Sequence, residues 1–135
     1  AEAAALCRLL EEAARRHLLR SAHDCSDGGI AVALAECLCT ARAPGLGCRV
    51  ELGGGARPDA TLFGESAGRV VVSLAPEAEG RWQELLAEGR VAWRPIGEVT
   101  GDGRLRLATP GAEIDLPATI LDRAWRGALP ELLEI

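Results

Sequence analysis

A chain of 135 residues with 48% apolar and 26% charged side chains has the make-up of one ordinary globular domain, able to bury about 68–70% of its unfolded surface without a metal or disulfide staple. The net charge of −5 argues against a nucleic-acid partner, and no apolar run approaches the roughly 18–20 residues of a membrane span. All 15 basic residues are arginine, which excludes a Schiff-base lysine and a GxxxxGK[ST] phosphate loop within the chain.

In chain order, residues 2–19 predict an amphipathic helix, with Leu6, Leu9, Leu10 and Ala13 on one face and Glu11, Glu12, Arg15 and Arg16 on the other. Residues 21–25 read as a short approach segment. Residues 30–38 are apolar all round except for Glu36 and predict a deeply buried second helix. Alternation at 48–52 predicts a strand, and residues 53–55 a glycine loop. A short turn or helix at 60–66 leads into 69–74, whose three consecutive valines predict a central strand covered on both faces.

Pro76 and Gly89 bracket a helix over 76–88. Residues 91–99 are strand-like, and Gly101-Asp102-Gly103 reads as a tight turn to a hairpin partner at 104–107. A last helix covers 117–125, followed by a tail over 129–135. Interleaved helices and strands with an antiparallel hairpin predict an α+β fold: a mixed sheet flanked by helices, in α/β/α layers. The chain lacks methionine and opens Ala-Glu-Ala-Ala inside a helical pattern, so it reads as a single domain, residues 1–135, taken from a longer multidomain chain. With no leader pattern and five cysteines in no metal-binding spacing, it is expected to be cytoplasmic with reduced thiols.

The chemistry-bearing stretch is His23-Asp24-Cys25-Ser26-Asp27-Gly28-Gly29, polar and glycine positions set against the start of the most apolar helix. Ser26 or Asp27 can cap that helix, and Gly28 and Gly29 let another group approach the backbone. A helix N-terminus suits a phosphate, but Asp24 and Asp27 would repel one unless a magnesium ion or arginines intervened. A well-capped buried helix explains the same pattern equally well. Gly64-Glu65-Ser66 sets a second polar group at the turn before the valine strand, where a solvated turn competes with a binding role. No third group orients a Cys25–His23 pair, so neither residue is assigned to catalysis.

Three segments together carry a family resemblance: Ser21-Ala22-His23-Asp24-Cys25-Ser26-Asp27-Gly28-Gly29-Ile30-Ala31-Val32-Ala33-Leu34-Ala35-Glu36, then Leu62-Phe63-Gly64-Glu65-Ser66-Ala67-Gly68-Arg69-Val70-Val71-Val72, then Ile96-Gly97-Glu98-Val99. Their order and spacing resemble the C-terminal domain of the aminoimidazole ribonucleotide synthetase superfamily, most closely its phosphoribosylformylglycinamidine synthase branch. Cys25 and Ala67 are mild departures from that pattern.

The resemblance implies a domain of an ATP-dependent purine-biosynthesis ligase that turns formylglycinamide ribonucleotide and glutamine-derived ammonia into formylglycinamidine ribonucleotide. ATP and Mg2+ would serve the full enzyme, none held tightly by this domain. The implied partners are N-terminal ATP-binding domains of the same chain, a glutaminase domain or subunit, and the phosphorylated ribonucleotide. His23, Asp24, Ser26, Asp27, Gly28, Gly29, Gly64, Glu65 and Ser66 would face the substrate or nucleotide. Alternatives are another superfamily ligase or kinase, such as aminoimidazole ribonucleotide synthetase, and a non-catalytic docking module.

Overall fold

The structure, a computed structural model, describes residues 2–55 and 57–133. Helix α1, Glu2–Arg15, buries Leu9 and Ala13 and is laced outside by i,i+4 pairs from Glu11 to Arg15 at 2.8 Å and from Glu12 to Arg16 at 2.7 Å. It stops four residues short of the expected end. His17 takes φ 54°, His17 N–H donates to Ala14 O, and Leu18 N–H donates to Ala13 O, each at 3.0 Å, so a left-handed reversal closes the helix. That reversal frees the following residues for strand β1, Leu19–Asp24, where the sequence predicted only an approach segment.

β1 pairs antiparallel with β3, Val70–Leu74, and Ser21 and Ser73 share a 2.6 Å hydroxyl contact across the ribbon. Val72 and Leu74 pack with Leu9, Ala13 and Leu18 against helix α4, Glu79–Gly89, whose inner face is Trp82, Leu85 and Leu86. Val71 packs the other way, into the cluster formed by helix α2, Gly29–Cys39. β3 thus lies between helices in α/β/α layers and packs on both faces as the valine run predicts, while most of β1 is exposed. It is not a central strand, however: among the described residues β3 has one strand neighbour, β1.

No residue of α2 is exposed, in keeping with its continuous apolar composition. Its other side lies on a second, four-stranded sheet of order β4-β2-β5-β6, formed by Gly97–Thr100, Gly47–Glu51, Arg104–Thr109 and Ala112–Pro117. This sheet is mixed, β2 running parallel to β5 and antiparallel to β4. Cys48, Val50, Leu105 and Leu107 face α2, the short helix α3, Pro58–Phe63, and helix α5, Ala118–Leu133. Burying a leucine as completely as Leu107 stabilises by about 1.5–3 kcal/mol. The opposite face carries ion pairs, Arg49 with Glu98 and Arg104 with Asp115 among them, so this sheet has helices on one side only among the described residues.

Four expectations are corrected here. β4 and β5 do not form a hairpin, because β2 is inserted between them, and residues 101–103 link two strands that are not neighbours. The hairpin is instead β5–β6, turning at Pro110-Gly111 with φ 88° at the glycine, and β6 was not anticipated. Of the strand-like 91–99 segment only residues 97–99 pair, in a strand that ends at Thr100. α5 continues past Trp125 through Pro130 to Leu133, where a separate tail was expected; residues 134–135 of that tail lie outside the described residues.

Candidate functional site

The ribbon brings the two predicted segments together. Asp24 stands opposite Val70, and beyond that pair Cys25 N–H donates to Arg69 O at 2.9 Å, so the chain leaving β1 runs beside the chain entering β3. Residues 25–28 and 64–69 therefore share one end of the ribbon. Gly28 N–H donates to Glu65 Oε1 at 3.1 Å, joining positions 37 apart in sequence. Gly29 seats against the backbone of the same turn: a Cβ there would stand 2.7 Å from Phe63 C and 2.9 Å from Gly64 O. Arg69 closes the turn from the other side, its Nη2 donating to Gly64 O.

Between the two segments lies an open cleft of about 500 Å³, lined by Asp24, Cys25, Ser26, Asp27, Glu65, Ser66 and Arg69 with their neighbours. Of the nine predicted residues, Asp24, Ser26, Asp27, Glu65 and Ser66 line it, and Gly28, Gly29 and Gly64 form the seam beneath. His23 does not line the cleft. Its Nδ1 lies 2.7 Å from Asp24 O and its Nε2 lies 3.0 Å from Glu36 Oε2 on α2.

The capping expectation is corrected too. Ser26 Oγ donates to the Asp24 carboxylate, and Gly28 itself occupies the cap position of α2 at φ 76°, with no side-chain cap. The backbone N–H at the mouth of the helix is answered by Glu65, a carboxylate from the other segment, in the place where a helix end attracts an anion.

Charge states follow from these contacts. Hydrogen bonding from Ser26 holds the Asp24 carboxyl below its ordinary range, so it is an anion in the cleft. Burial pushes the Cys25 thiol up, with nearby Arg69 opposing, which keeps it protonated and unreactive. Among the described residues Arg69 is the only basic side chain lining the cleft, and its Nε is buried with no hydrogen-bond partner among them. Sequence reasoning passed over it, although an arginine three residues beyond Ser66 at the mouth of an apolar strand was a readable signal. Among the described residues no three His, Cys, Asp or Glu side chains converge to hold a metal ion.

Residues 1–109 match the family described as AIR synthase related protein, C-terminal domain. The chain belongs to that family. A phosphoribosylformylglycinamidine synthase subunit PurL of Symbiobacterium thermophilum is 42% identical over 130 residues, 87% of this chain and 17% of that protein. The structure of Thermotoga maritima PurL complexed with ATP superposes with a TM-score of 0.73 at 22% identity, covering 87% of this chain and 21% of the other. The Thermotoga maritima PurLQS structure gives 0.74 with the same identity and coverage. At that identity the two structures establish the fold. The chain spans about one sixth of the length of the PurL relative it matches.

Proposed function

We propose that this AIR synthase related C-terminal domain is part of a phosphoribosylformylglycinamidine synthase, the ATP-dependent ligase that converts formylglycinamide ribonucleotide and glutamine-derived ammonia into formylglycinamidine ribonucleotide. The observation that carries the reading is the 3.1 Å bond from Gly28 N–H to Glu65 Oε1, which unites the two family segments into one cleft wall. The 42% identity to a PurL subunit favours this branch over aminoimidazole ribonucleotide synthetase and over a docking module.

In this role the domain supplies shape and hydrogen-bonding groups. Ser66 and Asp27 face the cleft, while Glu65 and Asp24 hold its two lips. A tightly held Mg2+ does not fit these residues, since Asp24 is engaged by Ser26, Glu65 by Gly28, and among the described residues no third ligand converges on them. A triphosphate is a poor fit for a cleft with one arginine turned onto a carbonyl. ATP binding is therefore assigned to N-terminal domains of the same chain, and ammonia supply to a glutaminase partner, with the whole enzyme in the cytoplasm. Among the described residues no helix is long and apolar enough to cross a membrane.

The test is a chimera in which this chain replaces the corresponding domain of the Symbiobacterium thermophilum relative. ATP- and ammonia-dependent formation of formylglycinamidine ribonucleotide is expected from the chimera and not from the isolated chain. A chimera that assembles and melts like its parent yet turns nothing over refutes the proposal, as does turnover by the isolated chain.

A further inference from the structure

His23 has both ring nitrogens engaged, and neither contact points into the cleft. Nδ1 lies 2.7 Å from the carbonyl oxygen of Asp24, an atom that can only accept, so Nδ1 carries a hydrogen. Nε2 lies 3.0 Å from Glu36 Oε2. The Asp24 carboxylate comes no nearer than 3.7 Å to Nδ1 and accepts from Ser26 instead. The ring therefore ties the carbonyl at the root of the loop to the second turn of α2. Without Glu36 the ring loses its second anchor, and Nδ1 is free to turn away from the Asp24 carbonyl.

We propose that His23 and Glu36 are a positioning pair: Glu36 anchors the His23 ring from Nε2 so that Nδ1 meets the Asp24 carbonyl, and His23 in turn holds the Asp24–Gly29 loop in register with Glu65. This rests on the reading of that loop as a wall of the active cleft. Both residues act through the loop and touch no substrate. Two side chains on two elements and one backbone carbonyl are involved, and the same pair explains why a histidine stands at the root of a loop whose cleft it does not enter.

The chain has two histidines, and exposed His17 gives an internal reference for the ring nitrogens of His23. In 15N-labelled protein, His23 is expected to carry hydrogen on Nδ1 and the Gly28 amide to exchange slowly. Glu36→Ala should shift the His23 ring pattern toward that of His17 and raise Gly28 exchange roughly tenfold, leaving core amides such as Leu107 unchanged. Glu36→Gln should restore both, because its amide keeps a hydrogen bond to Nε2 and so keeps the ring anchored. If Glu36→Ala does not fold, His23→Phe keeps the ring volume, removes both bonds and gives the same readout at Gly28.

An unchanged His23 pattern or unchanged Gly28 exchange on removal of the pair overturns the proposal, and so does a Glu36→Gln variant that behaves like Glu36→Ala. In the chimera, Glu36→Ala should lower kcat roughly tenfold with Glu36→Gln near the unsubstituted value; unimpaired turnover with a loosened loop also overturns it. An unsubstituted chimera without turnover strikes the functional reading alone, since the ring and amide measurements need no ligand.

Discussion

Gly29 is where the fold and the cleft meet, and its substitution separates two energies that are usually confounded. Its φ of 68° lies in the left-handed region, where a residue with a Cβ is destabilised by roughly 1–2 kcal/mol. Gly68 has nearly the same backbone, φ 79°, but open space where its Cβ would go. At Gly29 the added atom meets Phe63 C at 2.7 Å and Gly64 O at 2.9 Å, which are backbone atoms and cannot rotate away. Overpacking of that kind adds about 1–3 kcal/mol. Gly68→Ala is thus expected to destabilise by roughly 1–2 kcal/mol and Gly29→Ala by roughly 2–5 kcal/mol. At about 4 °C per kcal/mol for a chain of this size, the two melting temperatures should differ by roughly 4–12 °C. Thermal and urea unfolding followed by circular dichroism decide it. If the two variants melt together, close approach of the Phe63–Gly64 backbone is not what the glycine serves.

Gly28→Ala meets a side chain instead, Val32 Cγ2 at 2.5 Å, so adding Val32→Ala should recover the steric part of its destabilisation in a double-mutant cycle, whereas independent effects would refute this. Thiol labelling at pH 8 in native protein, read by mass spectrometry, should modify exposed Cys7 first and Cys48 last, since burial pushes the Cys48 thiol up to about 11; early loss of Cys48 would contradict its place in the core. The Asp102 carboxyl is pulled down to about 2 by hydrogen bonds from Arg106 and Thr100. Its contribution to stability is present above the ordinary carboxylate value of about 3.9 and lost as pH falls through about 2, so Asp102→Asn should be less stable than the unsubstituted chain at pH 5–7, with the gap closing between about pH 4 and 2.

The sequence made the helices legible where periodicity or composition was strong. α2 announces itself by a run apolar but for Glu36, and α4 by proline before and glycine at its end. It hid β1, because the pattern of α1 runs smoothly into it and the stop signal is a histidine in a left-handed conformation, which no propensity scale marks as a helix end. It also hid the order of the second sheet. Alternation marks β2 and β5 and is absent from β4, and which strand lies between the other two depends on a crossover set by packing beneath α2.

The site was legible as residues and not as contacts. Glycine, serine and carboxylates at 23–29 and 64–66 were readable as a polar patch, whereas the bond between Gly28 and Glu65 spans 37 positions and exists only because β1 and β3 pair. Arg69 shows the same limit. As a residue it reads as the polar start of a strand, and only the folded turn reveals that it donates to Gly64 O while keeping a buried Nε without an acceptor.

The charge of the cleft bears on which part of the chemistry this domain can carry. Asp24, Asp27 and Glu65 line it against one arginine, and the helix mouth that would attract a phosphate is already met by Glu65. A free phosphate entering that space would face carboxylates with its countercharge turned away, at an energetic cost that a few tenths of a kcal/mol from helix alignment cannot offset. A neutral or cationic group, hydroxyl or amide, meets the opposite situation, because Ser66 and the carboxylates offer acceptors at no repulsive cost. In the proposed reaction the sugar hydroxyls and the amide nitrogen of the ribonucleotide are such groups, whereas its phosphate and the ATP are not. The acidity of the cleft is therefore consistent with a division of labour in which this domain reads the uncharged parts of the substrate and the anionic parts are held elsewhere in the enzyme.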